Sequence, residues 1–108
     1  MKKITSLEKE IDQTLEDSKA TDVAKINVGS KSTLCDYFYI ATGTSGRHVK
    51  SIADHIVKKF KDLGMQSVPI EGSDTNSWVV IDLGDAIIHI FQKEARDRYK
   101  LEDIWNKS

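Results

Sequence analysis

The chain has 108 residues, in which 16 lysines and arginines nearly balance 17 aspartates and glutamates, for a formal net charge of -1. This length suits a single domain, residues 1–108, with one hydrophobic core. The balance disfavours a protein that grips nucleic acid phosphates, because such proteins carry a basic excess. No apolar run approaches the roughly 18 residues of a membrane span, and no signal-peptide core follows the first lysines, so we expect a cytoplasmic protein.

Apolar periodicity predicts a helix, two strands and a second helix in the first half of the chain. Apolar residues three and four positions apart indicate a helix from Thr5 to Ala20. Alternating residues indicate a strand over 21–28, and the aromatic and β-branched run DYFYIAT indicates another over 36–42. A long apolar stripe then predicts a helix from Ser45 to Leu63, which Gly64 ends.

The second half is predicted to hold three strands and a closing helix. The segment QSVPIEG, residues 66–72, indicates a strand at or near a sheet edge, because Pro69 cannot donate a backbone hydrogen bond. Residues 78–91 predict a β-hairpin, and the segment from Glu94 to Trp105 predicts the last helix. The order α-β-β-α-β-β-β-α is typical of the α+β class, with a mixed five-stranded sheet flanked by helices.

The predicted hairpin is apolar on both faces. A two-residue turn at Gly84 and Asp85 fixes its pairing, because paired residues point to the same side of a sheet. One face is wholly aliphatic, with the pairs Leu83 and Ala86, Ile81 and Ile88, and Val79 and Ile90. The other face mixes aromatic and ionisable groups, with the pairs Asp82 and Ile87, Val80 and His89, and Trp78 and Phe91.

The mixed face of the hairpin needs a cover. Leaving Trp78 and Phe91 in water would forgo several kcal/mol of apolar burial, a large part of a typical stability. In one explanation the final helix folds back with Tyr99, Ile104 and Trp105. In the other a partner protein docks there, since interface cores favour aromatic residues inside a polar rim. The spacing of the residues leaves both explanations open.

The residues show no catalytic or metal-binding pattern. Cys35 has no legible base and orienting group beside it, and it cannot form an internal disulfide because it is the only cysteine. No metal-ligand spacing connects the three histidines, which are His48, His55 and His89. We therefore predict no metal, no cofactor and no catalytic residue.

A series of ordered motifs extends from about Asp22 to Trp105. They are DYFYIATGTS with RHVKSIAD, the pair EG, a tryptophan before IDLGDAIIHIF, and R, Y, LE and W in RDRYKLEDIW. This series resembles the ribosomal silencing factor family, RsfS, also called the Iojap family. One departure is Leu83, where many members carry an aromatic residue; in the predicted pairing it faces the core, so the difference concerns packing.

The resemblance implies a nucleotidyltransferase-like fold without transferase activity. Members of the family bind the large ribosomal subunit through its fourteenth ribosomal protein, at the surface that must meet the small subunit. Their presence blocks subunit joining and represses translation when nutrients are scarce. Organellar relatives are linked to assembly of the large subunit. We therefore expect a non-enzymatic protein that acts by steric exclusion, with little direct RNA contact.

The mixed hairpin face and the final helix form the predicted docking surface. Its predicted residues are Trp78, Val80, Asp82, His89, Tyr99, Leu101, Glu102 and Trp105. Between Asp82 and Asp103 six acidic residues outnumber four basic ones, which suits a basic ribosomal partner. In the free protein a second copy can cover the same apolar face, so a homodimer that competes with docking is also predicted.

A nucleotide-binding protein or residual nucleotidyltransferase is the alternative. The segment ATGTSGRH, residues 41–48, links a strand to a helix, a setting in which backbone N–H groups can hold phosphate. It matches no known phosphate motif, and a plain turn with Ser45 as N-cap also explains it. Beyond the turn from Gly43 to Ser45, the next strand supplies only Glu71, which is too little to hold two magnesium ions.

Overall fold

The computed structural model describes residues 7–27, 37–72 and 74–99. Within these residues the helices and strands follow the predicted order. They are α1 (Leu7–Asp17), β1 (Thr21–Asn27), β2 (Tyr37–Gly43), α2 (Gly46–Asp62), β3 (Ile70–Glu71), β4 (Trp78–Asp82), β5 (Ala86–Gln92) and α3 (Lys93–Tyr99). The strands form one five-stranded sheet, which confirms the predicted mixed α+β class.

The sheet has the strand order β1-β2-β5-β4-β3. Strands β2 and β5 run parallel, whereas the other neighbouring pairs are antiparallel. The hairpin of β4 and β5 therefore lies inside the sheet, with β2 on one side and the short edge strand β3 on the other. Helices lie against both faces of the sheet at the hairpin, and this explains the apolar residues on both faces.

The predicted register of the hairpin is confirmed. The N–H of Leu83 donates to the carbonyl of Ala86 at 2.9 Å and closes the turn. The cross-strand pairs are Trp78 with Phe91, Val79 with Ile90, Val80 with His89, Ile81 with Ile88, and Asp82 with Ile87. Alternation along each strand therefore separates the aliphatic pairs from the mixed pairs as the sequence indicates.

Helices α1 and α2 pack on the aliphatic side of the sheet, which we call the inner face. Helix α1 contributes Ile11 and Leu15 to this core. The buried stripe of α2 consists of Val49, Ile52, Ala53, Ile56 and Phe60. Because burying one large aliphatic side chain is worth about 1.5–3 kcal/mol, this cluster is the main source of stability.

The ends of α2 follow the predicted start and stop signals. Ser45 is the N-cap, and its hydroxyl accepts a hydrogen bond from the N–H of His48 at 3.1 Å. At the other end Gly64 has φ 109°, a left-handed conformation that glycine adopts without steric cost. The helix therefore occupies Gly46–Asp62, within one residue of the predicted bounds at each end.

Other predicted bounds change where the chain geometry intervenes. Helix α1 ends at Asp17 rather than Ala20, because Lys19 is left-handed (φ 62°) and the N–H of Ala20 turns back to the carbonyl of Leu15. Strand β3 keeps only Ile70–Glu71 of the predicted seven residues, and it is an edge strand as predicted. The predicted bounds at residues 5, 28, 36 and 105 lie outside the described residues.

Two glycines with positive φ provide a matched test of the packing beside β4. An added Cβ at Gly72 (φ 85°) would lie 2.1 Å from the carbonyl oxygen of Trp78, whereas one at Gly84 (φ 89°) meets nothing within 4 Å. Gly84→Ala should therefore cost only the left-handed strain, about 1–2 kcal/mol of unfolding free energy. Gly72→Ala should lower the free energy of unfolding, measured in urea, by clearly more than Gly84→Ala, because the loop must move away from β4. Equal losses would contradict this packing.

Candidate functional site

The side of the sheet opposite α1 and α2, which we call the outer face, carries the mixed residues of the hairpin. A second buried cluster lies here, made of Ile26, Phe38, Ile40, Phe91 and Ala95. Ala95 belongs to α3, so this helix packs on the outer face and covers part of it. Trp78 and Ile87 are half-buried at the border of the cluster.

Trp78 is held in place by two aromatic neighbours on the outer face. Its ring stacks on Phe91 with the centroids 4.9 Å apart and an angle of 28° between the planes. Its indole N–H donates to Nδ1 of His89 at 3.0 Å. A large aromatic side chain that is half-exposed and already ordered loses little entropy when a partner packs on it.

His89 lies behind Trp78 and is only 7% exposed. Its ring meets Phe38 edge to face at 5.1 Å, and burial lowers its pKa to about 4. Because Nδ1 accepts the indole hydrogen bond, the neutral ring carries its proton on Nε2. The buried Nε2 has no hydrogen-bond partner among the described residues. This position makes His89 a support for Trp78; direct contact of His89 with a partner stays a prediction.

The other predicted contacts on β4 form a row with Trp78. Val80 is half-buried and Asp82 is exposed, and both point to the outer face. Alternate residues of a strand lie about 7 Å apart, so the row is about 14 Å long. Asp82 Oδ1 also accepts a hydrogen bond from the N–H of Gly84 at 2.8 Å, which ties the end of the row to the turn.

The remaining predicted contacts belong to the C-terminal part of the chain. Tyr99 is the last residue of α3. Leu101, Glu102, Ile104 and Trp105 lie outside the described residues. The question of how much of the outer face this segment covers, and how much a partner covers, therefore stays open.

Arg96 anchors α3, and sequence patterns did not indicate this. Its Nη1 donates to Thr42 Oγ1 at 2.7 Å and to the carbonyl of Asp22. Asp22 has φ 49° and lies at the irregularity in the pairing of β1 with β2. In the sequence Arg96 looks like one charge of a solvated helix face, and 74 residues separate it from Asp22, so no local spacing could reveal the contact.

The geometry disfavours the predicted alternative of a nucleotide site at the turn from Gly43 to Ser45. The N–H of Thr44 donates to Nδ1 of His48 at 2.9 Å, and the hydroxyl of Ser45 caps α2, so these groups are already engaged. Glu71 of β3 pairs with Val80 of β4. Val80 pairs with His89 of β5, and His89 pairs with Ile40 of β2. That places the carboxylate three strand spacings, about 14 Å, from β2, too far to share a metal ion with the turn.

Residues 7–27, 37–72 and 74–99 hold neither a metal-ligand cluster nor a membrane-spanning helix. No group of three or more metal-ligating side chains gathers within this part of the chain. None of its helices has the length and apolar character needed to span a bilayer.

Comparisons with known proteins agree on one family. The family model described as "Ribosomal silencing factor during starvation" matches residues 2–108. The ribosomal silencing factor RsfS of Haemophilus influenzae is 42% identical over 93 residues, which are 86% of this chain and 91% of that protein. The mouse protein named mitochondrial assembly of ribosomal large subunit protein 1 is 37% identical, over 84% of this chain and 41% of its own length. A crystal structure from Chromobacterium violaceum superposes with a TM-score of 0.91 at 31% identity, covering 99% of this chain and 89% of that one.

The buried His89 predicts a pH dependence of stability. Its pKa in the folded protein, about 4, lies below the ordinary histidine pKa of 6.5, so as the pH falls the unfolded chain binds the extra proton first. The stabilisation is therefore complete above pH 6.5 and is lost as the pH falls toward 4, amounting to about 3 kcal/mol. Urea unfolding at several pH values should show this slope in the wild type.

Two variants separate His89 from the other titrating groups. His89→Gln should flatten the slope between pH 6.5 and 4, whereas Val23→Ala, an exposed substitution on β1 that removes no titrating group, should leave the slope unchanged. An unchanged slope in His89→Gln would show that the ring does not titrate as a buried group.

Proposed function

The chain belongs to the ribosomal silencing factor family, and from this membership and the geometry of its outer face we infer that it binds the large ribosomal subunit and blocks subunit joining. The contact is with the fourteenth ribosomal protein of that subunit, on the surface that meets the small subunit. Translation is thereby repressed when nutrients are limited.

The single observation that carries the docking surface is the row of Trp78, Val80 and Asp82. It combines an ordered, half-exposed tryptophan with an aliphatic side chain and an exposed carboxylate. Interfaces draw most of their binding energy from a few such aromatic anchors surrounded by a polar rim. The C-terminal residues Tyr99, Leu101, Glu102 and Trp105 complete the proposed surface.

Charge complementarity supports a basic partner. Asp82 and Asp85 are exposed at the end of the hairpin, and Glu71 is exposed on the neighbouring strand. Asp82 accepts one hydrogen bond from the N–H of Gly84, and its carboxylate can accept further hydrogen bonds from a lysine or arginine. Such charges would mainly speed the encounter with a basic ribosomal protein and fix its orientation.

Steric exclusion requires only that the bound protein occupy the joining surface. The chain extends 37 × 34 × 22 Å across its Cα atoms, so even its smallest dimension is far larger than a close-packed contact between two subunits. Binding alone therefore suffices, and we propose no catalytic step. A free copy can cover its outer face by forming a homodimer, which would compete with docking.

Assembly of the large subunit is a second candidate role. It is favoured by the 37% identity to the mouse protein whose name refers to that process. The same docking surface serves both roles, because each begins with binding to the large subunit. The two differ in timing, since assembly would involve an immature subunit.

The proposal is tested by light scattering of purified large and small subunits on mixing. Wild-type protein should suppress the joining signal. Trp78→Ala removes the anchor and should raise the concentration needed for half inhibition at least tenfold. Val23→Ala is the matched control, because Val23 is an exposed large apolar residue on β1, the edge strand that β2 and β5 separate from β4.

The outcomes separate the function from the surface. Unimpaired joining at saturating wild-type protein would overturn the proposed function. Equal inhibition by wild type and a folded Trp78→Ala variant would keep the function but reject this surface. Loss of inhibition in Val23→Ala as well would show that the effect is not specific to β4.

A further inference from the structure

A groove runs between α2 and the edge strand β3, on the inner side of the sheet and away from the outer face. Its cavity volume is about 560 Å³. Ala53 and Val57 of α2 and Ile70 of β3 form an apolar floor, and Lys50 and Lys61 stand at its two ends. The groove plays no part in the proposed docking on the ribosome.

Strand β3 offers to this groove backbone groups that pair with no strand among the described residues. The carbonyl of Pro69 accepts a hydrogen bond from the N–H of Asp82 at 3.0 Å, and Glu71 pairs with Val80, so both point toward β4. Consecutive residues of a strand direct their N–H and C=O groups to opposite sides. The N–H and C=O of Ile70 therefore point to the open edge, spaced to pair with one residue of an added strand.

The rim of the groove carries a surplus of positive charge. The rim contains three lysines and two aspartates, which are Lys50, Lys58, Lys61, Asp54 and Asp62. Lys50 contacts Asp54 at 2.9 Å and Lys58 contacts Asp62 at 3.0 Å, but all four side chains are at least 60% exposed. Exposed pairs of this kind contribute only a few tenths of a kcal/mol, so the lysines can turn to a ligand carboxylate at little cost.

Asn76 adds a polar group at the end of the groove where α2 begins. Its Oδ1 is buried and has no hydrogen-bond donor among the described residues. The loop that carries it is fixed, because Gln92 Nε2 donates to the carbonyl of Asn76 at 3.1 Å. Asn76 therefore marks a fixed end of the groove, whereas its buried Oδ1 lies out of reach of a bound chain.

We propose that the groove binds a short, extended, acidic peptide segment of another protein, which adds a strand to the open edge of β3. The distance from Lys50 to Lys61 along the helix is about 16 Å, the length of about five extended residues. In such a strand residues 1, 3 and 5 of the peptide face α2. The central one packs on Val57 and Ile70, and the outer two reach the lysines, which gives the pattern acidic-x-aliphatic-x-acidic.

The charge and shape favour a peptide over an RNA strand. An RNA strand would bring a negative charge at every nucleotide against two aspartates in the rim, and it cannot use the N–H and C=O of Ile70 as a paired strand does. An acidic peptide places its two carboxylates only where the lysines lie. The proposal does not depend on the proposed ribosomal function, because the outer face and the groove lie on opposite sides of the sheet.

The test is a titration followed by the amide signals of the full chain in nuclear magnetic resonance. The probe is the end-blocked peptide Glu-Thr-Val-Thr-Glu, and the matched control peptide is Lys-Thr-Val-Thr-Lys. The acidic peptide should shift the signals of Ile70, Glu71, Val57 and Asn76 with saturation in the millimolar range or below. The basic peptide should bind at least fivefold more weakly.

Two surface variants locate the binding. Lys61→Glu should weaken the acidic peptide at least fivefold, whereas Lys9→Glu, exposed on α1, should leave it unchanged. No shift in the groove, equal shifts with both peptides, or equal binding by both variants would overturn the proposal. The proposal would also be overturned, in favour of RNA, if an oligouridine of five nucleotides shifts the amide signals of the groove residues and the acidic peptide does not.

Discussion

The parallel pairing of β2 with β5 places the hairpin inside the sheet, and because the hairpin carries apolar side chains on both faces, each face must be shielded from water. On the inner face α1 and α2 meet this need with aliphatic side chains. On the outer face the short helix α3 supplies Ala95, and the aromatic residues partly bury one another. Among the described residues the two sides differ in their degree of cover, and this difference supports the proposal that the outer face receives a partner.

The outer face combines a rigid base with an exposed rim. His89 and Phe91 are buried and fix the orientation of Trp78, while Asp82 at the end of the same strand remains exposed. Arg96 holds α3 against the ends of β1 and β2, so the chain enters its C-terminal segment from a fixed point beside this face. Preorganisation of this kind lowers the entropy cost of binding, which suits the proposed docking on the large subunit.

Sequence patterns predicted the parts of the fold that depend on local periodicity. The stripe of α2 and the two-residue turn at Gly84 and Asp85 fix their elements without help from distant residues, and the row of Trp78, Val80 and Asp82 follows from the turn. Contacts between distant segments were beyond local patterns. The parallel partner of β5, the burial of His89 against Phe38 and the anchoring of α3 by Arg96 all depend on how strands far apart in the chain meet.

Docking of the outer face on the large ribosomal subunit is tested by site-specific photo-crosslinking. A photoreactive amino acid is placed at position 80, on the outer face, or at position 9, which is exposed on α1, and the protein is irradiated with purified large subunits. If the outer face docks as proposed, position 80 crosslinks to the fourteenth ribosomal protein and position 9 does not. A crosslink from position 9 alone, or from position 80 only to another component, would overturn docking through this face.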